Sequence, residues 1–145
     1  MTDSLLVEAK GTREVPVLEL KGELDLASAE LLETAVDRLV PLADAVGLVC
    51  DLTQVSFVDS SGVRELLKIN ESLRTANKRL ALVIPEQAHI HKVFAITYFE
   101  EAAPIVAELA LAIAAVRAWR SVGLSRASRR LRRAIRSLCA ASRAG

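Results

Sequence analysis

Residues 57–62 read FVDSSG, and an apolar pattern with helical spacing begins immediately after them. The apolar residues of the preceding run end at a carboxylate, two hydroxyls and a glycine, which is typical of a joint between a buried strand and a helix. Such a joint leaves backbone N–H groups free and carries the positive end of the helix dipole. Asp59, Ser60, Ser61 and Gly62 therefore predict a helix cap, an anion site or a hydroxyl presented for modification.

The simplest of these interpretations is a helix cap formed by Ser60 or Ser61, whose replacement typically costs ~1 kcal/mol. A cap alone does not account for Gly62, because glycine in a helix is less favourable than alanine by up to ~1 kcal/mol. A glycine in the first helical turn indicates that another group approaches the start of the helix closely.

The composition predicts one acidic domain with a basic extension. Of the 145 residues 52% are apolar but only 3% are aromatic, so Leu, Val, Ile and Ala must form the core. Residues 1–116 hold all 18 acidic residues and 10 of the 19 basic ones, a net charge of −8, whereas residues 117–145 hold nine arginines and no acid. We therefore predict a domain over residues 1–116 and an arginine-rich helical extension over residues 117–145.

Two cysteines far apart in the chain, Cys50 and Cys139, predict neither a disulfide framework nor a ligand cluster. The N-terminus also lacks the basic start and apolar run of a signal peptide. Both observations favour a reducing, cytoplasmic location.

The spacing of apolar residues predicts strands that alternate with helices. The predicted strands cover residues 5–9, 15–20, 47–52, 79–84 and 105–106, and the predicted helices cover residues 28–40, 61–76, 86–96, 108–120 and 125–140. This order indicates a mixed α/β sheet of four or five strands with helices packed on it, followed by a basic C-terminal helix. The helix over 108–120 is too short in its apolar run to span a membrane, which needs ~20 residues.

Several local features refine this prediction. Pro16 indicates an edge position or an irregular strand start, and Gly22 is expected to end the second strand. Asp25 or Ser28 is expected to cap the first helix. The inward stripe of the second helix is predicted to be Val63, Leu66, Leu67, Asn70 and Leu73.

The patterns of several enzyme classes are absent from the sequence. There is no G-x-S-x-G nucleophile elbow, no glycine-rich phosphate loop and no His, Cys or carboxylate set with metal-ligand spacing. His89 and His91 stand two residues apart on a predicted helix and so do not share a face. We predict no catalytic residue, no metal and no cofactor, and we expect that the protein is not an enzyme.

Three stretches together resemble the STAS domain family, in particular its bacterial anti-sigma factor antagonists. They are GELDLASAELL at 22–32, DLTQVSFVDSSGVRELL at 51–67 and RLALVIPEQAHIHKVF at 79–94. The resemblance covers roughly residues 5–116 and is specific because two short motifs occur jointly. It implies a sheet of four or five strands with helices gathered on one face. The stretch AITYFEEAAPIVAEL departs from the family by lacking its usual Gly-Leu turn, so we expect a weak last strand.

The resemblance also implies a function. Family members of this kind bind an ATP-dependent anti-sigma factor serine kinase when unphosphorylated and so release a sigma factor. The kinase phosphorylates the serine that follows the motif aspartate, which is Ser60 here, with Ser61 as the alternative, and a phosphatase would reverse the modification. The partner surface carried over by the resemblance consists of Asp25, Asp59, Ser60, Ser61 and Gly62. Asp25 is expected to serve as a helix cap, as part of this surface, or as both.

A second hypothesis is a STAS accessory subunit of a membrane transporter of the lipid type. In that case the apolar helix near residues 108–119 or the basic tail would contact a membrane subunit. The apolar surface of the same helix is also compatible with the interface of a homodimer.

The tail places Leu124, Leu131 and Leu138 on one helical stripe among arginines. This pattern leaves open a solvated or disordered helix, an anionic membrane, a nucleic acid, or docking on the acidic domain or a partner. We favour the solvated helix and then docking. Direct DNA binding is not expected, because no aromatic residues accompany the arginines as a stacking platform.

Overall fold

A computed structural model of the chain describes residues 5–40 and 43–121. Its elements are β1 (Leu6–Gly11), β2 (Pro16–Leu24), α1 (Leu26–Leu39), β3 (Gly47–Val58), α2 (Ser60–Thr75), β4 (Arg79–Val83), α3 (Ile90–Ile96), a 3-10 turn (Phe99–Glu101), β5 (Ile105–Val106) and α4 (Leu109–Ser121). The predicted mixed α/β order is confirmed, including the short last strand. The predicted basic helix over 125–140 lies outside the described residues.

The five strands form one sheet in the order β1-β2-β3-β4-β5. β1 is antiparallel to β2, and the other three pairings are parallel. β2 is therefore an interior strand, and the interpretation of Pro16 as an edge residue is wrong. Pro16 instead is the first residue of β2, opposite Gly11, a position where a residue without an N–H is tolerated.

Helices cover both faces of the sheet. The first three helices bury one face through a leucine-rich core that includes Leu18, Leu52 and Phe94. α4 buries the opposite face through Val49 and Val116. The prediction that the helices gather on one face therefore holds for α1 to α3 and not for α4. The physical reason is that β3 and β4 are apolar on both sides, and such strands need a cover on each face.

Contacts at its C-terminal half fix α4 on the sheet. A Cβ placed on Gly47 would lie 2.5 Å from Val116 Cγ1, so the glycine allows the helix to approach β3 closely. The guanidinium of Arg79 lies 3.9 Å from the ring centroid of Trp119, and Arg117 pairs with Glu14 at 3.3 Å. The helix is thus a core element of the domain. Within residues 5–40 and 43–121 no helix has the length and apolar character to cross a membrane.

Two details of the helices differ from the predictions, and a third agrees with them. α3 begins at Ile90 rather than near residue 86, because the residues after Pro85 form successive i to i+3 turns. In α2 the residue Leu67 is exposed and Ile69 is buried in its place, since Leu67 stands at the margin of the apolar stripe. His89 is exposed and His91 half-buried, in agreement with a surface role.

Candidate site for partner binding and modification

Two turns meet at the carboxyl edge of the parallel strands. β2 and β3 extend further than predicted and pair up to their last residues, Leu24 opposite Val58. Gly22, with φ of 111°, adopts a backbone conformation suited to glycine and lies in the irregular part of the β2–β3 register, so it does not end the strand. Asp25 and Asp59 follow the two strand ends directly, and the Asp59 N–H donates to the Leu24 carbonyl at 3.2 Å.

Asp25 is the N-cap of α1. Its side chain accepts a hydrogen bond from the Ser28 N–H at 3.0 Å, and the Ser28 hydroxyl reciprocates by accepting from the Asp25 N–H at 2.9 Å. The same hydroxyl donates to the Glu23 carbonyl at 2.8 Å. Ser28 is therefore the third residue of a capping box and not the cap. The expected capping role of Asp25 is confirmed.

Asp59, rather than either serine, is the N-cap of α2. Its carboxylate accepts a hydrogen bond from the Gly62 N–H at 3.0 Å. The interpretation of Ser60 or Ser61 as the cap is wrong, because β3 ends at Val58 and the helix already begins at Ser60. The consequence is that neither serine hydroxyl is needed to close the end of this helix.

Ser60 is exposed, and Ser61 is half-buried. Within the described residues the Ser60 hydroxyl makes no hydrogen bond, and the amides of both serines have no acceptor. The first two amides of α2 therefore lie at the positive end of the helix dipole and have no acceptor among the described residues. This arrangement presents a free hydroxyl beside unused N–H donors.

Gly62 is buried where α2 meets the end of β2. A Cβ at this position would lie 2.5 Å from the Leu24 carbonyl oxygen and 2.8 Å from Leu24 Cγ. The close approach predicted from the sequence is therefore real, and the approaching group is the chain's own β2. Gly62 joins the turn that carries Asp25 to the turn that carries Ser60.

Two apolar side chains beside the site were missed from the sequence. Leu26, the first residue of α1, is 75% exposed, and Phe57, two residues before Asp59, is 48% exposed. An apolar residue directly after a helix cap was the available signal for Leu26. Phe57 looked like part of a buried strand, but it stands opposite Glu23 where the β2–β3 register is irregular.

The charges around Ser60 are mixed. Glu23, Asp25 and Asp59 supply carboxylates at the ends of the strands, and the exposed Arg64 lies one helical turn after Ser60. No group of His, Cys, Asp and Glu side chains able to hold a metal ion occurs in the described part of the chain. The arrangement can present a hydroxyl and an apolar pair to a protein partner.

Comparison with known proteins identifies the family. The model of the STAS domain matches residues 7–112, nearly three quarters of the chain. The chain belongs to the STAS domain family. Among sequence relatives, the anti-sigma-F factor antagonist RsfB of Mycobacterium tuberculosis is 35% identical over 71 residues, which are 49% of this chain and 57% of RsfB. The STAS chain thus matches little more than half the length of that relative.

Solved structures give a similar result. An anti-sigma factor antagonist from Mycobacterium paratuberculosis has a TM-score of 0.69 and 27% identity, covering 81% of this chain and 99% of its own. The Bacillus cell fate determinant SpoIIAA in its phosphorylated form has a TM-score of 0.53 and 26% identity, covering 72% of this chain and 93% of its own. A sulfate transporter family protein from Wolinella succinogenes is 18% identical and the murine anion transporter Slc26a9 is 16% identical, likenesses that show the fold alone.

Proposed function

We propose that this STAS protein is an anti-sigma factor antagonist. In its unphosphorylated form it binds an anti-sigma factor serine kinase in the cytoplasm and thereby releases a sigma factor, and phosphorylation of Ser60 ends that binding. The observation that carries the proposal is the exposed, unbonded Ser60 hydroxyl at the first turn of α2, adjacent to the capped turn of Asp25. Relatives named anti-sigma factor antagonists support it.

Ser60 is the better acceptor of the two serines. A kinase must reach the hydroxyl and bring the γ-phosphate of ATP in line with it, and Ser61 is half-buried. The carboxylate of Asp59 already caps the helix, so the Ser60 hydroxyl can be esterified without the loss of a cap. The free amides of the first turn tolerate an anion, as helix N-termini generally do.

Phosphorylation is expected to change the surface and not the fold. A phosphate adds about −1.5 to −2 charges at neutral pH. It would stand beside Asp59 on a domain whose residues 1–116 already carry a net charge of −8. Like charges and added bulk in a desolvated interface cost several kcal/mol, enough to separate a partner that docks on this edge.

Exposed apolar side chains suit a partner surface at the same edge. Aromatic residues commonly contribute most to binding at the centre of an interface. Phe57 and Leu26 flank the turns that carry Asp59 and Asp25, and neither is needed to fill the core. In this proposal they supply contact area, Ser60 supplies the switch, and Gly62 holds the two turns together.

An incubation of the full chain with a candidate anti-sigma kinase and ATP tests the proposal, with intact-mass analysis as the readout. We expect one added phosphate on the wild type and on Ser61→Ala, and none on Ser60→Ala. Ser60→Asp should bind the kinase at least tenfold more weakly than the matched control Ser61→Asp. Equal binding of wild type and Ser60→Asp would refute the switch.

The same proteins distinguish the proposed function from the alternative, a subunit of a membrane transporter. Failure of the wild type to bind any candidate kinase, together with co-purification with a membrane transporter, would favour that alternative. Loss of phosphorylation in Ser61→Ala but not in Ser60→Ala would move the acceptor to Ser61 and leave the regulatory function in place.

A further inference from the structure

The outer side of β1 is a long unpaired strand edge. β1 spans six residues and pairs with β2 on one side only, and among the described residues no strand lies on its other side. The opposite edge of the sheet, β5, has only two residues. An unpaired edge presents free N–H and C=O groups that another strand can pair with.

The position of Pro16 shows which backbone groups of β1 face outward. In an antiparallel ladder, hydrogen-bonded and non-bonded residue pairs alternate. Pro16 has no N–H, so its pair with Gly11 is a non-bonded one, and Ala9 opposite Leu18 is the next non-bonded pair along the ladder. The amide and carbonyl of Ala9 therefore point away from β2, together with those of Val7.

The side chains along this edge select a second copy of the same strand. Glu8 and Lys10 flank Ala9 and are both exposed. If two β1 strands pair antiparallel with Ala9 opposite Ala9, each Glu8 stands opposite Lys10 of the second copy. A shift of the second strand by two residues, which keeps the outward backbone groups paired, places Glu8 opposite Glu8 in one direction and Lys10 opposite Lys10 in the other. Opposite charges stabilise a cross-strand pair and like charges destabilise it, so the charges favour the Ala9-centred register.

This register also extends an ion pair that already exists. Lys10 Nζ lies 2.8 Å from Glu19 Oε2 on β2. Glu8 stands directly opposite Glu19 in the β1–β2 ladder, which is an unfavourable pair of like charges. Lys10 of the second copy would neutralise Glu8 and relieve that repulsion. Each Glu8 would then stand between Glu19 of its own copy and Lys10 of the second copy.

An apolar groove borders the same edge. It runs between β1 and α1, has a volume of about 600 Å³, and is lined by Leu5, Leu31 and Leu39 among others. Leu31 and Leu39 of α1 are exposed. A second copy paired on β1 would bring its own α1 to the same face of the joined sheet and reduce the exposure of these leucines. Burial of apolar area is the main favourable term in such an association.

We propose that β1 is the interface of a homodimer. Two copies pair their β1 strands antiparallel about Ala9, with Glu8 and Lys10 exchanged across the axis, and form a continuous ten-stranded sheet. The interface uses none of the residues around Ser60, so the inference does not depend on the proposed function.

Reversed charges provide the test, with oligomeric state measured by sedimentation velocity over a wide range of protein concentration. Wild type should dimerise, whereas Glu8→Lys alone and Lys10→Glu alone should each dimerise at least about tenfold more weakly, because each puts two like-charged pairs in the interface. The double variant Glu8→Lys/Lys10→Glu should recover the dimer. An equimolar mixture of the two single variants should form a heterodimer, since their edges are complementary.

A second variant makes the test independent of charge. Ala9→Pro removes an outward N–H that β2 does not use, so it should abolish the dimer while the melting temperature of the monomer, measured by circular dichroism, stays close to that of wild type. A wild type that stays monomeric at every concentration would overturn the proposal. So would a dimer that persists in all the variants, or one that survives both single reversals and is lost on truncation after Ser121.

Discussion

Gly62→Ala sets two physical effects against each other at the centre of the site. Helix propensity alone predicts that alanine stabilises the first turn of α2 by up to ~1 kcal/mol. The structure predicts the opposite, because the new Cβ would lie 2.5 Å from the Leu24 carbonyl oxygen and 3.1 Å from Val58 Cγ1. The first contact is with backbone, which cannot rotate away as a flexible side chain can.

The magnitude follows from the two contributions. Forcing an extra methyl group into a packed region typically costs ~1–3 kcal/mol. Because the clash is with backbone, the upper part of this range applies, ~2–3 kcal/mol, and subtracting the ~1 kcal/mol gain in propensity leaves a net destabilisation of about 1–2 kcal/mol for Gly62→Ala. Urea unfolding of the full chain followed by circular dichroism measures this difference. Ser61→Ala is the matched control one residue earlier in the same helix, where the Cβ is already present, and it should change the free energy of unfolding by less than about 0.5 kcal/mol.

The same variant reports on the coupling of the two turns. The contact between Gly62 and Leu24 is direct, so the clash should displace the start of α2 from the end of β2 and move Ser60 relative to Asp25. Under the proposed function, phosphorylation of Ser60 should therefore slow in Gly62→Ala under conditions where the variant is folded. A Gly62→Ala protein more stable than wild type would refute this reasoning, because it would mean that the close approach carries no energetic penalty.

Three further changes have expected outcomes. Asp25→Ala should lower the free energy of unfolding by ~1 kcal/mol because a cap is lost, whereas Asp25→Asn keeps a capping oxygen and should lose less than half of that in the same urea assay; equal losses would contradict the capping role. Burial raises the pKa of the Glu65 carboxyl, so the folded state binds the proton more readily than the unfolded state. Stability contributed by this group should therefore rise as the pH falls through the folded pKa, and Glu65→Gln should remove that rise when unfolding is measured from neutral to mildly acidic pH. Burial also raises the pKa of the Cys50 thiol to about 12, so in a Cys139→Ser variant the remaining thiol should react with Ellman's reagent only after denaturant is added; rapid reaction of the folded variant would show that Cys50 is accessible.

Much of the fold could be predicted because apolar periodicity reports directly on burial. The run GLVCDL, from Gly47, predicts a strand, and the structure places that strand at the centre of the sheet with apolar residues on both faces. The same observation implies helices on both faces, yet periodicity does not state which helix takes which face. The structure assigns α4 to the second face through the packing of Val116 against Gly47 and Val49.

The ends of the strands were harder to predict, because they depend on pairing between distant residues. β2 was expected to stop near Gly22, but the irregular register with β3 accommodates the glycine and the strand continues to Leu24. The predicted site residues, Asp25 and residues 59–62, nevertheless lie together at one edge of the sheet, since each belongs to a short motif that follows a strand. Their roles shifted by one position, from Ser60 to Asp59 as the cap, because a cap is defined by where the preceding strand ends.

This shift bears on how a switch at this site would work. If Ser60 were the cap, its phosphorylation would replace a hydroxyl that holds the helix end, and a change in fold stability of ~1 kcal/mol would accompany any change in binding. Two carboxylates perform the capping instead, Asp25 on α1 and Asp59 on α2. The serine hydroxyl is thus the part of the motif that the fold does not use. Under the proposed function, the chain separates a fixed frame from a modifiable group, so phosphorylation can act on the partner with little effect on the stability of the domain itself.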